Sequence, residues 1–208
     1  MLKEYPELVP VAPVRPLAPY IGGKRNLARR LVQRINAVPH QTYAEVFVGM
    51  GGVFLRRDRR PKGEVINDWS EDVATFFRVV LGSGARFDVT KIAPMIEAVH
   101  ERLAGVIIER LPWQEFIARY DRPGTLFYLD PPYYGCETDY GRDMFQREEF
   151  EVMADMLRTI RGRFILSLND HPEVRRLFDG FAIEEAKVRY QVGGMDNSKL
   201  AGEVIISH

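Results

Sequence analysis

Apolar and polar positions along the chain switch between the short runs of buried strands and the 3.6-residue stripes of amphipathic helices. Leu126, Phe127, Tyr128 and Leu129 form a four-residue apolar run that suits a buried central strand, and the run stops at Asp130. Tyr43–Val48, Glu64–Asn67, Val106–Glu109 and Phe164–Leu168 read as further strands. Helical stripes lie between them. Leu27, Leu31 and Ile35 share one face, and Val73, Phe76, Phe77 and Val80 share another on a helix running from Ser70 to near Gly82. Pro112 opens a helix over Trp113–Tyr120, a longer one spans Arg147–Ile160, and Pro172 starts a short one ending at Phe178. Two last strands, Ala182–Val192 and Glu203–Ser207, are joined by Gly193–Gly202, which is too short for a crossover helix, so the pair is antiparallel. The pattern predicts an α/β fold with a mainly parallel sheet and an antiparallel C-terminal hairpin. Pro6, Pro10, Pro13 and Pro16 mark residues 1–18 as an extended leader rather than an element. Residues 82–105, restarting at Pro94, are the place for a small helical insertion within a catalytic domain of residues 19–208.

Size changes this picture little: 208 residues, 46% hydrophobic, suffice for one well-buried domain and not for two. Charge is more restrictive. With 29 basic and 29 acidic side chains the formal net charge is zero, so any nucleic-acid contact must come from local basic patches. Lys24, Arg25, Arg29, Arg30 and Arg34 make one such cluster; Arg56, Arg57, Arg59, Arg60 and Lys62 make a second, for which a solvated helix end and loop is the preferred reading. The single cysteine, Cys136, excludes a disulfide framework and fits a reducing cytoplasm, and the four histidines lack metal-ligand spacing, so no metal is expected. No apolar run reaches the length of a membrane span.

Candidate chemistry collects where strands end. Asp130-Pro131-Pro132-Tyr133 delivers a carboxylate on a stiff segment with an aromatic ring just beyond, able to clamp a flat group that carries hydrogen-bond donors. Gly49-Met50-Gly51-Gly52 follows the first strand, where a glycine turn lets a ligand sit against backbone near a helix N-terminus. Asp68 ends the second strand about 20 positions after that turn, the placement of a residue that binds ribose hydroxyls. Ser70, Glu71 and Asp72 could cap the following helix unaided, which leaves Asp68 freer for a ligand. Together these features suggest a nucleoside-containing ligand.

In order, the motifs resemble those of the Dam-like DNA adenine-N6 methyltransferases, which use S-adenosylmethionine. Pro19-Tyr20-Ile21-Gly22-Gly23-Lys24 resembles the family's N-terminal motif, Glu45-Val46-Phe47-Val48-Gly49-Met50-Gly51 its glycine loop, Ile66-Asn67-Asp68 the end of its second strand, and Asp130-Pro131-Pro132-Tyr133 its catalytic motif. Leu166-Ser167-Leu168-Asn169-Asp170 and Gly202-Glu203-Val204-Ile205-Ile206-Ser207 resemble its last two segments. The resemblance implies a Rossmann-like methyltransferase fold. It implies that Tyr20, Gly23 and Lys24 belong to the cofactor site with Tyr20 and Lys24 at the methionine end, that Phe47, Gly49 and Gly51 line that site, and that Asp68 takes the ribose. It assigns Asp130, Pro131, Pro132 and Tyr133 to catalysis: the Asp130 carboxylate and the Pro131 carbonyl would accept hydrogen bonds from the adenine amine, and Tyr133 would stack on a target base flipped out of double-stranded DNA.

Two departures accompany it. Family members carry a sizeable target-recognition region before the catalytic strand, whereas only a short turn separates the Trp113 helix from Leu126; recognition would then be relaxed or rest on Tyr134–Phe145 and Gly193–Gly202. The third motif has Pro112-Trp113 where members often have Asp-Phe. Other readings are weaker. Ribosomal RNA methyltransferases acting on exocyclic amines share Asp-Pro-Pro-Tyr, although the glycine–lysine motif favours DNA. Glutamine-methylating enzymes usually have Asn at the position of Asp130, and a nicotinamide dehydrogenase would not explain Asp-Pro-Pro-Tyr. A catalytically idle nucleic-acid-binding module is the reading of a different class.

Overall fold

A computed structural model of the chain describes residues 5–17, 24, 26–82, 93–136, 145–191 and 198–208. Tyr20, Gly23, residues 83–92 of the expected insertion, and parts of the two expected recognition loops lie outside the described residues.

The strands are β1 (Val9–Pro10), β2 (Thr42–Glu45), β3 (Arg59–Arg60), β4 (Gly63–Asn67), β5 (Ile107–Glu109), β6 (Thr125–Leu129), β7 (Arg163–Asn169), β8 (Ala182–Gln191) and β9 (Ser198–Ser207). The helices are α1 (Ala28–Ala37), α2 (Glu71–Gly82), α3 (Ala93–Arg102), α4 (Trp113–Tyr120), α5 (Glu149–Thr159) and α6 (Pro172–Leu177). Seven strands form one sheet in the order β5-β4-β2-β6-β7-β9-β8. β5, β4, β2, β6 and β7 run parallel, and β9 is antiparallel to both β7 and β8. The expected mixed sheet is present.

Every residue of β6 is buried, which is why its sequence is a continuous apolar run rather than an alternating one. Leu126 and Tyr128 face a core shared with Leu31 and Ile35 of α1, Phe77 of α2 and Val99 of α3. Phe127 and Leu129 face a second core with Trp113 and Phe116 of α4, Phe150 and Met153 of α5, and Val174 of α6. The sheet is thus sandwiched between two helix layers. Its strand order reverses between β2 and β6, and the crevice beyond the carboxyl ends of strands at such a point is where open α/β sheets bind ligands.

Three elements differ from expectation. The leader is not free of structure: β1 pairs with β3, Val11 N–H donates to the Asp58 carbonyl at 2.9 Å, and the Tyr5 hydroxyl donates to the Pro123 carbonyl at 2.7 Å. β2 ends at Glu45, although Val46 and Val48 still donate to the Tyr128 and Asn67 carbonyls and carry the chain up to Gly49. β9 begins at Ser198, five residues before the expected start, so residues 198–202 pair with 187–191 instead of forming a loop. No helix among the described residues is long and apolar enough to cross a membrane.

Candidate active site

Asp130 leaves the carboxyl end of β6, and Pro131 and Pro132 after it are buried. The Asp130 side chain is 18% exposed and meets Lys24, whose Nζ lies 2.8 Å from Oδ1 and whose own side chain is 2% exposed. Ser167 Oγ, from β7, donates to the same oxygen at 3.0 Å and is itself 2.9 Å from the Tyr128 hydroxyl. Burial raises the Asp130 pKa, the Lys24 charge and hydrogen bond pull it back, and the nearby Glu203 carboxyl pushes it up again.

Lys24 Nζ also donates to the Tyr133 hydroxyl at 2.9 Å and stands 4.3 Å from the centre of its ring. That hydroxyl in turn donates to Glu203 Oε1 at 2.6 Å. One ammonium therefore joins Asp130 and Tyr133, the first and fourth side chains of the Asp-Pro-Pro-Tyr motif, and the last strand anchors the ring from its far end. The structure thus brings Lys24, Asp130 and Tyr133 together.

The glycine turn sits beside them at the end of β2. Gly49 and Gly51 have φ of 50° and 74°, left-handed values that cost a side-chain-bearing residue roughly 1–2 kcal/mol. A Cβ at Gly51 would stand 2.8 Å from Leu55 Cγ, so space as well as φ demands glycine there. Phe47, just ahead of the turn, packs edge-on against Phe145 at 6.0 Å in the second core.

Asp68 is less free than its sequence context suggests. Its Oδ2 accepts from Gly49 N–H at 2.9 Å, and its Oδ1 accepts from Ser70 N–H at 3.0 Å. It therefore braces the glycine turn against β4 and caps the approach to α2, a task expected of Ser70. Burial raises its pKa against those two backbone bonds, and a carboxylate has acceptor capacity beyond two.

Several side chains in the site carry roles that their sequence context does not announce. Asn67 donates to the Val46 and Leu111 carbonyls at 3.1 Å each and accepts from Leu111 N–H at 2.9 Å, stitching β2 to the segment ahead of α4. Asn169 exchanges two hydrogen bonds with the Tyr134 backbone and so fixes the chain leaving Tyr133. Glu45 is buried beneath Asp130; burial lifts its pKa to about 8 against a hydrogen bond from the Tyr43 hydroxyl at 2.6 Å. Trp113 of the departing third motif is buried and donates to Glu149 at 2.9 Å. The one available signal for Glu203 is an acid at the head of the apolar run Val204-Ile205-Ile206.

In the second basic cluster Arg59 and Lys62 are exposed as expected, but Arg57 is not on a solvated surface. Arg57 is fully buried, stacks on Tyr43 at 3.8 Å, and pairs with Glu64 at 2.6 Å, while Arg102 pairs with the other oxygen of Glu64 at 2.7 Å. Arg56 donates to the Gly52 carbonyl at 2.6 Å and supports the glycine turn from below.

Comparison with known proteins bears on this geometry. Over 112 residues the chain is 23% identical to the Type II methyltransferase M.CviBI of Paramecium bursaria Chlorella virus NC1A, a match covering 54% of this chain and 43% of that protein. The chain thus spans less than half the length of this relative. Among solved structures it resembles the precorrin-6y C5,15-methyltransferase of Geobacter metallireducens GS-15, with a TM-score of 0.55, 12% identity and 99% of each chain covered. It also resembles the putative RNA methyltransferase PH1948 of Pyrococcus horikoshii, with a TM-score of 0.52, 12% identity, and coverage of 93% of this chain and 91% of that one. At such identities these likenesses establish the Rossmann-like methyltransferase fold. The family model of the D12 class N6 adenine-specific DNA methyltransferases matches residues 20–101 and 94–192, most of the chain, and the protein is a member of that family.

Proposed function

We propose that the chain transfers the methyl group of S-adenosylmethionine to the exocyclic N6 amine of adenine in double-stranded DNA, with the target base flipped out of the helix. Methyl transfer as such follows from the family. The finer reading is supported above all by one observation: a carboxylate on a Pro-Pro segment, held by Lys24 and Ser167, stands at the sheet's switch point beside a glycine turn and a braced aspartate.

The residues present fit the cofactor. The turn at Gly49–Gly51 leaves backbone bare of side chains, and Asp68 at the next strand end keeps acceptor capacity for ribose hydroxyls after bonding Gly49 and Ser70. Lys24 would add a cation for the methionine carboxylate, and the motif resemblance assigns Tyr20, Gly23 and Phe47 to the same site. When bound, S-adenosylmethionine supplies an electrophilic methyl on a sulfonium.

The chain's own residues do the rest. The adenine amine is a poor nucleophile because its lone pair is delocalised into the ring. Hydrogen bonds from that amine to the Asp130 carboxylate and the Pro131 carbonyl favour a pyramidal nitrogen with its lone pair aimed at the methyl. The proton shed by the amine on methylation would pass to the Asp130 carboxylate to which it is hydrogen-bonded. Tyr133 stacks on the base, and a paired amine inside a duplex could not reach this buried set, hence the flipping.

Transfer of a tritiated methyl to unmethylated duplex DNA tests the reading, with N6-methyladenine as the expected labelled nucleoside. Label in ribosomal RNA and none in DNA would overturn it; label in neither, with cofactor bound, would favour an idle binding module. Asp130→Ala is expected to abolish transfer while leaving cofactor affinity largely intact, and normal turnover in that variant would refute the role of Asp130.

A further inference from the structure

β9 is ten residues long, but β7 pairs with only Glu203–Ser207. One further bond, from Asp170 N–H to the Gly202 carbonyl, ends that contact. Beyond it, four rungs remain in which β9, among the described residues, has only β8 as a strand partner: Val188–Ala201, Arg189–Leu200, Tyr190–Lys199 and Gln191–Ser198. β7 points its carboxyl end, Asn169, at Glu203, so these rungs project past the edge of the sheet that carries Asp130 and the glycine turn. At about 3.4 Å per residue the overhang is about 14 Å long.

Its base belongs to the active site: Glu203 holds the Tyr133 hydroxyl, and Ala186 opposite Glu203 lies in the core beside Tyr128. Its composition departs from that of the chain. Residues 187–191 and 198–202 include Lys187, Arg189 and Lys199 and no acid, in a chain of zero net charge. The acids lower on β8 are already engaged at the foot of the ribbon, Glu184 by Arg30 and Arg34 and Glu185 by Arg175.

We propose that this overhang is a docking surface for duplex DNA that leads the helix onto the Asp130 site. The proposal rests on the reading of DNA as the substrate and adds to it the element that engages it. Polyanion attraction alone would not choose between DNA and RNA; shape does. A two-stranded ribbon fits the B-DNA major groove, about 12 Å wide and about 8.5 Å deep, whereas the major groove of A-form RNA is too narrow to admit it. An overhang of about 14 Å is long enough to reach the floor of the former.

The test is the salt dependence of binding of the full chain to a fluorescent DNA duplex, read by anisotropy with no turnover required. Replacing Lys187, Arg189 and Lys199 together by Ala removes three phosphate contacts at about 0.9 each, so the log–log slope is expected to shrink by about 2.7 and affinity at 0.1 M salt to fall a few hundredfold. Cofactor binding is expected to stay unchanged, and Lys187→Arg with Arg189→Lys and Lys199→Arg to restore the slope. Should the triple variant not fold, single substitutions, each expected to lower the slope by about 0.9, decide the matter. A folded variant with wild-type duplex affinity and slope overturns the proposal, as does a variant that loses double-stranded RNA and keeps DNA. A wild-type chain that shows the slope yet methylates no adenine supports the ribbon and overturns the reading of the reaction.

Discussion

Replacing Lys24 by Met removes the cation that faces Asp130 while keeping much of its stem. In the intact site, burial raises the Asp130 carboxyl and Lys24, 2.8 Å away, opposes that rise. With charge centres roughly 4 Å apart, the pair is worth about 4 kcal/mol at the effective dielectric that reproduces measured values. Solvent at the 18% exposed carboxylate lowers the figure to about 3 kcal/mol, all of it favouring the ionised carboxylate. In the proposed reaction Asp130 must be ionised to take the proton shed by the target amine, so the acid limb of kcat is expected to move to higher pH in Lys24→Met. Stability moves in a linked way. A carboxyl whose folded pKa lies above its unfolded value holds its proton more tightly in the folded state. The variant's stability relative to wild type is therefore greatest below the unfolded value and is lost as pH rises through the raised folded one. The assay is kcat at saturating DNA and cofactor from pH 5.5 to 9, paired with melting curves over the same range. Lys24→Arg, which keeps the charge, is the control. An acid limb at the wild-type position in Lys24→Met, with only the cofactor KM raised, would show that Lys24 serves the cofactor and not Asp130.

Two further expectations concern the frame of the site. Glu64→Ala strands two buried guanidiniums, Arg57 and Arg102, and is expected to cost about 3–5 kcal/mol, a fall in Tm of roughly 10 °C; Arg59→Ala, at an exposed position of the same basic run, is expected to leave Tm unchanged, and equal melts for the two variants would remove the ion triad from the account. Gly51→Ala combines a left-handed φ with a contact at 2.8 Å to Leu55, and is expected to weaken cofactor binding at least tenfold by calorimetry while DNA binding persists; unchanged cofactor affinity would mean that the turn does not shape the cofactor site.

What the sequence displays is local. α4 spans the same residues that Pro112 and its apolar stripe predict, and the four-residue run at Leu126 lies within β6, because a fully buried parallel strand must be apolar throughout. What it hides depends on distant partners. Arg57 stands in a run of basic residues whose spacing cannot say which one turns inward; Glu64 and Arg102, from β4 and α3, decide that. Asp68 reads as available because Ser70 is a good cap, and only the path of the glycine turn brings Gly49 N–H to it. Ser198-Lys199-Leu200-Ala201-Gly202 has the composition of a turn, and its strand character comes from pairing with β8. β1, two residues long, is too short to have a period at all.

The arrangement of acids explains why the site needs Lys24. Glu45, Asp130 and Glu203 lie close together on one face of the sheet, and three carboxylates in a buried setting would repel one another and any electron-rich base. The site relieves that conflict in different ways. Glu45, lifted to about 8 by burial, is mostly protonated at neutral pH and adds little charge. Glu203 accepts from the Tyr133 hydroxyl and so places the ring. Asp130 is paired to the Lys24 ammonium, which opposes the rise that burial gives its pKa. In the proposed reaction, positive charge develops on the amine nitrogen as the methyl arrives. A carboxylate already fixed at Asp130, with Glu45 adding little charge beside it, stabilises such a centre without reorganisation at the moment of transfer.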